Sequence, residues 1–425
     1  METNISSELH HSAVYWFDPV PRDAVVLFYT VCFVYITTAL YILAKHFIVP
    51  SLDIITAKTG ATDSVAGCLI YGGATSLLGF LTAVIGAFVA LPDNVFSINK
   101  IYGGHIYELT FLLAITIFCV PAALLKPLLV RPFMRDIVFV VGITIIIFLF
   151  FVDSQIVWYE TTLLLVIFIF YLLAVRLLRK FMNNKVPKIE PIGNPIGSEP
   201  ENIEMQDKGD KQDVTLSLTP TSGSSSCSCC CSCCGTFCHY LSLPAKIPLL
   251  LTIPSPSWKC CNTSLMIKLF PLTLIVSFVW QGLLSYLTVM IAMDWGSLVG
   301  LPSEITGFVI APFSLELMVS IVLAERGDLP TAVHAILGRI IIGVCTTFGL
   351  STFIYNTVFG IVFEVRSDGL YSLIVMLFLI IVLSIEVAIT KTKLKKPWGA
   401  PHLILWFLHI ALAIALTYEF IKLPI

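Results

Sequence analysis

ITGFVIAPFSLELMVSIVLAERG, residues Ile305–Gly327, is the stretch whose reading decides the fold. It is long enough to cross a bilayer, which takes ~20 mostly apolar residues. One acid, Glu316, stands near its middle, with Ser314 just before it and Ser320 one helical turn after it. Gly307 and Pro312 interrupt the helix. An acid at mid-membrane depth costs a few kcal/mol or more, so by default it marks an ion path or a relay. A Pro-interrupted helix at that depth is tolerated where it lines a cavity. The plainer alternative is an acid paired to a neighbouring helix for packing alone.

The surroundings agree with a membrane setting. The chain has 425 residues, 57% hydrophobic and only 12% charged, with a mean hydropathy of +0.92. A soluble domain carries about twice that charged fraction, so the chain reads as a polytopic protein whose partner is the lipid bilayer. A net charge of −2 argues against nucleic acid. Met1–Arg22 is polar, with Asp18, Pro19, Pro21 and Arg22, and does not read as a signal peptide.

Hydropathy gives ten candidate spans: Ala24–Ala44, Val65–Leu91, Tyr107–Leu125, Ile137–Val152, Thr161–Leu178, Ile267–Met293, Ile305–Leu323, Val333–Gly360, Leu370–Ile389 and Leu403–Phe420. A polar gap divides them five and five. The expected organisation is an N-terminal segment (1–23), a first five-helix repeat (24–178), a disordered loop (179–259) and a second five-helix repeat (260–425). Two halves with an odd number of spans insert with opposite orientation, the plan of inverted-repeat transporters. Lys126, Arg131 and Arg135, then Arg176, Arg179, Lys180, Lys185 and Lys188, then Lys391, Lys393, Lys395 and Lys396 fall on one side if the spans alternate. The excess of Lys and Arg places that side, and the central loop, in the cytoplasm. Both termini are then outside, where Asn4 opens a glycosylation sequon. The plasma membrane is the expected location, an organelle membrane the alternative. The run Ser224–Cys238, SSSCSCCCSCCGTFC, lacks the spaced pairs of a zinc site. Unstructured tail, acylated segment and metal binding all stay open for it.

A repeat is visible in the residues. Ser64-Val65-Ala66-Gly67 opens the second span and Glu304-Ile305-Thr306-Gly307 the seventh, each after a Pro-containing entry. Small residues follow both: Gly72, Gly73, Ala74, Thr75, Ser76 and Gly79 in the first, Ala311, Pro312 and Ser314 in the second. Small residues let helices approach closely. Interrupted segments at matching places in two halves also point to a central site at the repeat interface.

With these motifs the chain resembles the potassium-dependent sodium/calcium exchangers, within the cation/calcium exchanger superfamily. The resemblance runs through Phe47-Ile48-Val49-Pro50-Ser51-Leu52, Arg131-Pro132-Phe133-Met134-Arg135-Asp136, Val157-Trp158-Tyr159-Glu160, Phe270-Pro271-Leu272-Thr273 and Ser320–Gly327. It implies an all-α fold of about ten transmembrane helices in two inverted five-helix repeats. The resemblance thins where the family binds ions. The acid of its first repeat falls on Gly79, and its helix-breaking Pro on Leu78, while Thr75, Ser76 and Thr82 keep hydroxyls. The family's next segment, Gly-Ser-Ala-Val-Phe-Asn, becomes Gly103-Gly104-His105-Ile106-Tyr107-Glu108. In the second half the acid maps to Glu316, and Gly-Ser-Asn-Ile-Phe-Asp becomes Gly338-Arg339-Ile340-Ile341-Ile342-Gly343. Gly343 thus stands where the family has an Asp linked to potassium dependence.

The candidate ion-binding residues are therefore Glu316, Glu108, Thr75, Ser76, Thr82, Ser314 and Ser320, with Gly79, Arg339, Gly343 and His105 modifying the site. Glu316 and Glu108 are the candidate metal ligands, for calcium or sodium. Calcium takes six to eight hard oxygens, usually including more than one carboxylate. One or two carboxylates suit sodium or a proton at least as well. Arg339 has two readings: it snorkels to the membrane face, or it pairs with Glu316 or Glu108 and acts as a fixed cation in place of potassium. His105 either packs or gates a proton. Glu386, Glu419, His334 and His402 read as interfacial. No nucleophile, phosphate loop or cofactor motif points to an enzyme. The leading expectation is a secondary antiporter moving calcium against sodium, with potassium as a further candidate ion. The alternatives are a sodium or proton exchanger and a non-transporting regulatory membrane partner.

Overall fold

The computed structural model describes residues 21–77, 79–80, 98–151, 155–183, 244–254, 269–301, 306, 314–359, 363–364 and 370–417. Among the described residues, helices labelled α1 to α10 overlap the expected spans in order. α1 is Arg22–Thr59, and α2 covers residues 63–77 and 79–80. α3 joins Ile98–Tyr107, Glu108–Leu112 and Leu113–Cys119. α4 is Val130–Phe150, α5 Trp158–Asn183, α6 Phe270–Val299 and α7 Leu315–Glu325. α8 joins Leu329–Ile342, Gly343–Phe348 and Gly349–Phe359; α9 is Leu370–Ile389 and α10 Gly399–Thr417. Among the described residues seven helices are long and apolar enough to cross a membrane: α1, α4, α5, α6, α8, α9 and α10. α3 adds a shorter apolar stretch, Gly103–Cys119. The expected spans at 65–91 and 305–323 lie partly outside the described residues. Thr82, Asn4, Glu419, Gly307, Pro312 and the cysteine run also lie outside them.

Polar contacts sort the helix ends onto two faces. On one face Lys45 pairs with Glu325 at 3.0 Å, Arg326 with Asp53 at 2.7 Å and Lys126 with Asp328 at 3.9 Å. Arg179 donates to the Gly60 carbonyl at 2.8 Å, and the Leu128 amide donates to the Thr392 carbonyl at 2.9 Å. On the other face Arg22 reaches the Leu298 carbonyl, and a two-residue strand β1, Gln155–Ile156, pairs antiparallel with β2, Phe363–Glu364. The connections between α4 and α5 and between α8 and α9 therefore lie side by side. Alternating spans require this arrangement, and it gathers the basic connections on the first face.

The gap between the halves holds more structure than its composition suggests. α5 continues to Asn183, and residues 244–252 form a short helix. That helix buries Ala245 and Leu249. It is fastened to α6 by Trp280, whose indole donates to Thr252 at 2.8 Å, and by Thr273, whose hydroxyl donates to the Pro254 carbonyl. The disordered reading of 179–259 does not hold for these stretches. Pro244, Pro248 and Pro254 masked the apolar run Leu249–Leu251 between them.

α2 and α8 cross with their backbones touching. A Cβ on Gly338 would sit 2.5 Å from the Cys68 Cα, and one on Gly67 would sit 2.7 Å from the His334 Cβ. Gly72 lies against the Ala335 carbonyl and the Arg339 amide, which a Cβ there would meet at 3.1 and 3.2 Å. Between apolar helices in lipid, such small residues let van der Waals packing hold the pair together. Four π-helical segments interrupt the ladder: Ala44–Ile48, Ala66–Tyr71, Glu108–Leu112 and Gly343–Phe348. The last two begin at Glu108 and Gly343, which occupy matching positions in the two halves. π-bulges are rare and concentrate at functional sites, so their recurrence marks both the repeat and its centre.

The crossing makes a prediction. Gly338→Ala forces two backbones apart and should cost about 1–3 kcal/mol, the usual range for overpacking. Gly142→Ala, whose Cβ meets nothing within 4 Å, should be neutral or stabilise by up to about 1 kcal/mol. Thermal unfolding in nanodiscs reads both; equal melting temperatures for the two variants would contradict the crossing.

Candidate functional site

The centre of the site is a buried acid held by a buried base. Glu108 opens the π-helical segment of α3, and Arg339 projects from α8 one turn before Gly343. The Arg339 Nη1 lies 3.5 Å from Glu108 Oε1, with both side chains under a tenth exposed. Arg339 Nε donates to the Thr75 hydroxyl at 3.0 Å. That hydroxyl in turn donates to the Tyr71 carbonyl at 2.9 Å. The other carboxylate oxygen of Glu108 faces His105 Nδ1 at 3.3 Å. Arg339 therefore does not snorkel; of its two readings the structure shows the pair with Glu108. Bringing two charges out of water is costly, and one left without the other is far worse.

His105 also fills the second half of the site. A Cβ on Gly343 would lie 2.8 Å from His105 Cε1 and 3.2 Å from Nε2. A side chain at 343 would therefore have to shift the imidazole. Gly79 is different. A Cβ there meets nothing within 4 Å among the described residues.

Glu316 stands in the first turn of α7, behind Ser314 at the N-cap. The positive end of a helix dipole favours a carboxylate there. Glu316 is half-buried, and among the described residues no basic side chain pairs with it. Ser320 follows at i+4 on the same helix face. The Tyr107 phenol, beside Glu108 in the chain, is buried without a hydrogen-bond partner. Trp406 of α10 fixes the Tyr107 ring edge-on at 5.5 Å. The hydroxyls of Ser76, Ser314, Ser320 and Tyr107, and Nη2 of Arg339, are buried without a hydrogen-bond partner. Buried polar atoms are normally satisfied, and among the described residues these orphan groups lie on or beside α2, α3, α7 and α8. No group of three or more His, Cys, Asp or Glu gathers among the described residues, so a cage of several carboxylates is not part of the described structure.

A second polar cluster was not foreseen. Asp136 is fully buried, with Arg135 Nη2 at 2.7 Å and His334 Nδ1 at 2.7 Å. The Tyr171 hydroxyl donates to the same carboxylate at 3.1 Å. His334 is thus a core residue, not an interfacial one, and Arg135 is spent inside the protein rather than standing as a loop charge. Glu386 and His402, also read as interfacial, are buried and meet at 2.6 Å. Their spacing gave a hint, since Asp136 directly follows Arg135, but the histidine partner lies 198 residues away.

A two-faced bundle of apolar helices, with π-interrupted partners meeting at a buried charged centre, is the architecture of an integral multi-pass membrane protein. The family follows from comparison. The model of the sodium/calcium exchanger protein family matches residues 28–177 and 269–415, and the chain belongs to that family. It is a cation antiporter and not an enzyme. It is similar to sodium/potassium/calcium exchanger 2 of Gallus gallus, 24% identical over 533 aligned positions that cover 95% of this chain and 79% of the relative. The Homo sapiens exchanger of the same name is 21% identical, covering 95% and 80%. A solved structure of the sodium-calcium exchanger NCX_Mj shares the fold, with a TM-score of 0.56 at 16% identity, covering 91% of this chain and 99% of that one.

The Glu108–Arg339 pair is testable by a double-mutant cycle. Glu108→Gln leaves a buried guanidinium without its counter-charge and should cost about 3–5 kcal/mol. Glu108→Gln combined with Arg339→Gln should recover most of that loss. A single variant as stable as the parent would show that the charges do not meet.

Proposed function

We propose that the protein exchanges sodium for calcium across its membrane by alternating access, with Glu316 as the carboxylate that takes each cation in turn. Its relatives are named as exchangers of these ions. The observation that carries the reading is Glu316 itself: a half-buried acid in the first turn of a helix, without a basic partner among the described residues and flanked by buried hydroxyls that lack partners. Ser314, Ser320 and Ser76 supply neutral oxygens, and Thr75 orders Arg339. Thr82, outside the described residues, is the further candidate oxygen of the first repeat. A calcium ion binds more weakly to one carboxylate with hydroxyls than to a cage of several acids.

The basic face of the bundle is the cytoplasmic one by the positive-inside rule. The central loop then lies in the cytoplasm, both termini lie outside and the plasma membrane is the location. A glycosidase-sensitive mobility shift that disappears in Asn4→Gln reads that orientation directly.

Glu316→Gln should lower sodium-gradient-driven calcium uptake into proteoliposomes at least tenfold, with protein yield and melting temperature little changed. Uptake equal to that of the parent would remove Glu316 from the transport cycle.

A further inference from the structure

We propose that Arg339 is a resident cation of the transport site. It keeps Glu108 neutralised through the cycle, leaves Glu316 as the acid that meets the transported ions, and makes the exchange independent of potassium. This rests on the exchange reading above and deepens it by naming the ions that the site excludes.

Three observations carry the inference. The first is the pair itself. The guanidinium sits 3.5 Å from the Glu108 carboxylate in a setting under a tenth exposed. An ionised Arg–carboxylate contact at low dielectric is strong. Arginine keeps its charge at every accessible pH, so a free cation approaching Glu108 Oε1 competes with a guanidinium already in place. The second is how the guanidinium is held. Nε is fastened to Thr75, and the Arg339 amide packs on Gly72 of the same helix. The group is positioned by the α2–α8 crossing and is not a flexible arm. The third is the repeat symmetry. Glu108 and Gly343 match in the two halves, as do Gly104 and Arg339. Gly343 brings no acid to the second half, and the His105 imidazole lies over it, 2.8 Å from where its Cβ would stand. Among the described residues Glu316 and Glu108 bring two negative charges and Arg339 one positive, which leaves one net negative charge. One charge and a set of hydroxyls accommodate a single sodium or a weakly held calcium, with nothing over for a co-transported potassium.

The test uses the full-length protein in two ways. In proteoliposomes, sodium-driven calcium uptake should change by less than twofold when potassium is replaced by choline. In detergent, titrating potassium chloride against choline chloride at constant ionic strength should give no potassium-specific rise in melting temperature. Arg339→Ser frees Glu108 and should gain both responses, a severalfold stimulation of uptake by potassium and a potassium-specific stabilisation. A wild-type protein that loses tenfold or more of its uptake without potassium, or that potassium selectively stabilises, overturns the inference. So does an Arg339→Ser variant that folds and gains neither response. Should wild-type calcium uptake be absent, the exchange reading fails while the potassium titration still decides the role of Arg339. The wild-type measurements decide it as well if the variant does not fold.

Discussion

Two glycines, Gly67 and Gly338, let α2 and α8 cross with backbone against backbone, and the rest of the site depends on that crossing. Larger side chains at either position would hold the helices apart. Arg339 could not then lay its Nε on Thr75 while reaching Glu108. The same approach seats His334 beside Gly67 and over Asp136. Helix association in lipid has no hydrophobic drive between apolar surfaces, so close backbone contact and buried polar pairs supply the specificity. Here both come from one helix pair. The charged groups are costly to bury, and the close crossing is what allows each to find its partner.

The two halves of the chain are related by sequence position but have divided the chemistry unequally. α3 carries the acid Glu108 and α8 the base Arg339, where each half has a glycine at the other's counterpart. The His105 imidazole lies over Gly343, 2.8 Å from where a Cβ would stand. Glu316 remains as the acid that no described base neutralises. In the arrangement we propose, a fixed guanidinium does for Glu108 what a bound cation would otherwise do. The charge that a transported ion meets is set by residues on three helices: α3, α7 and α8.

Much of this was legible in the residues. Hydropathy located the membrane helices, with Leu370–Ile389 matching at both ends, because apolar runs of bilayer length have few other uses. Glu316 stood out for the converse reason, as an acid where acids are expensive. The partner of Arg339 was not legible, since periodicity cannot rank two acids when one lies 231 residues away. The Asp136–His334 and Glu386–His402 pairs were missed for a related reason: a polar residue near a span end looks interfacial until a neighbouring helix covers it. The short helix at 244–252 was hidden by prolines that compose a loop in sequence but only bracket a helix in the fold.

The central claim is that a guanidinium stands where a cation would otherwise meet Glu108. The most direct measurement is a diffraction experiment on the protein equilibrated in rubidium, a heavier stand-in for potassium located by its anomalous scattering. The account predicts no rubidium peak beside Glu108 and clear density joining Glu108 to Arg339. A rubidium ion bound to the Glu108 carboxylate, with Arg339 turned away, would contradict it.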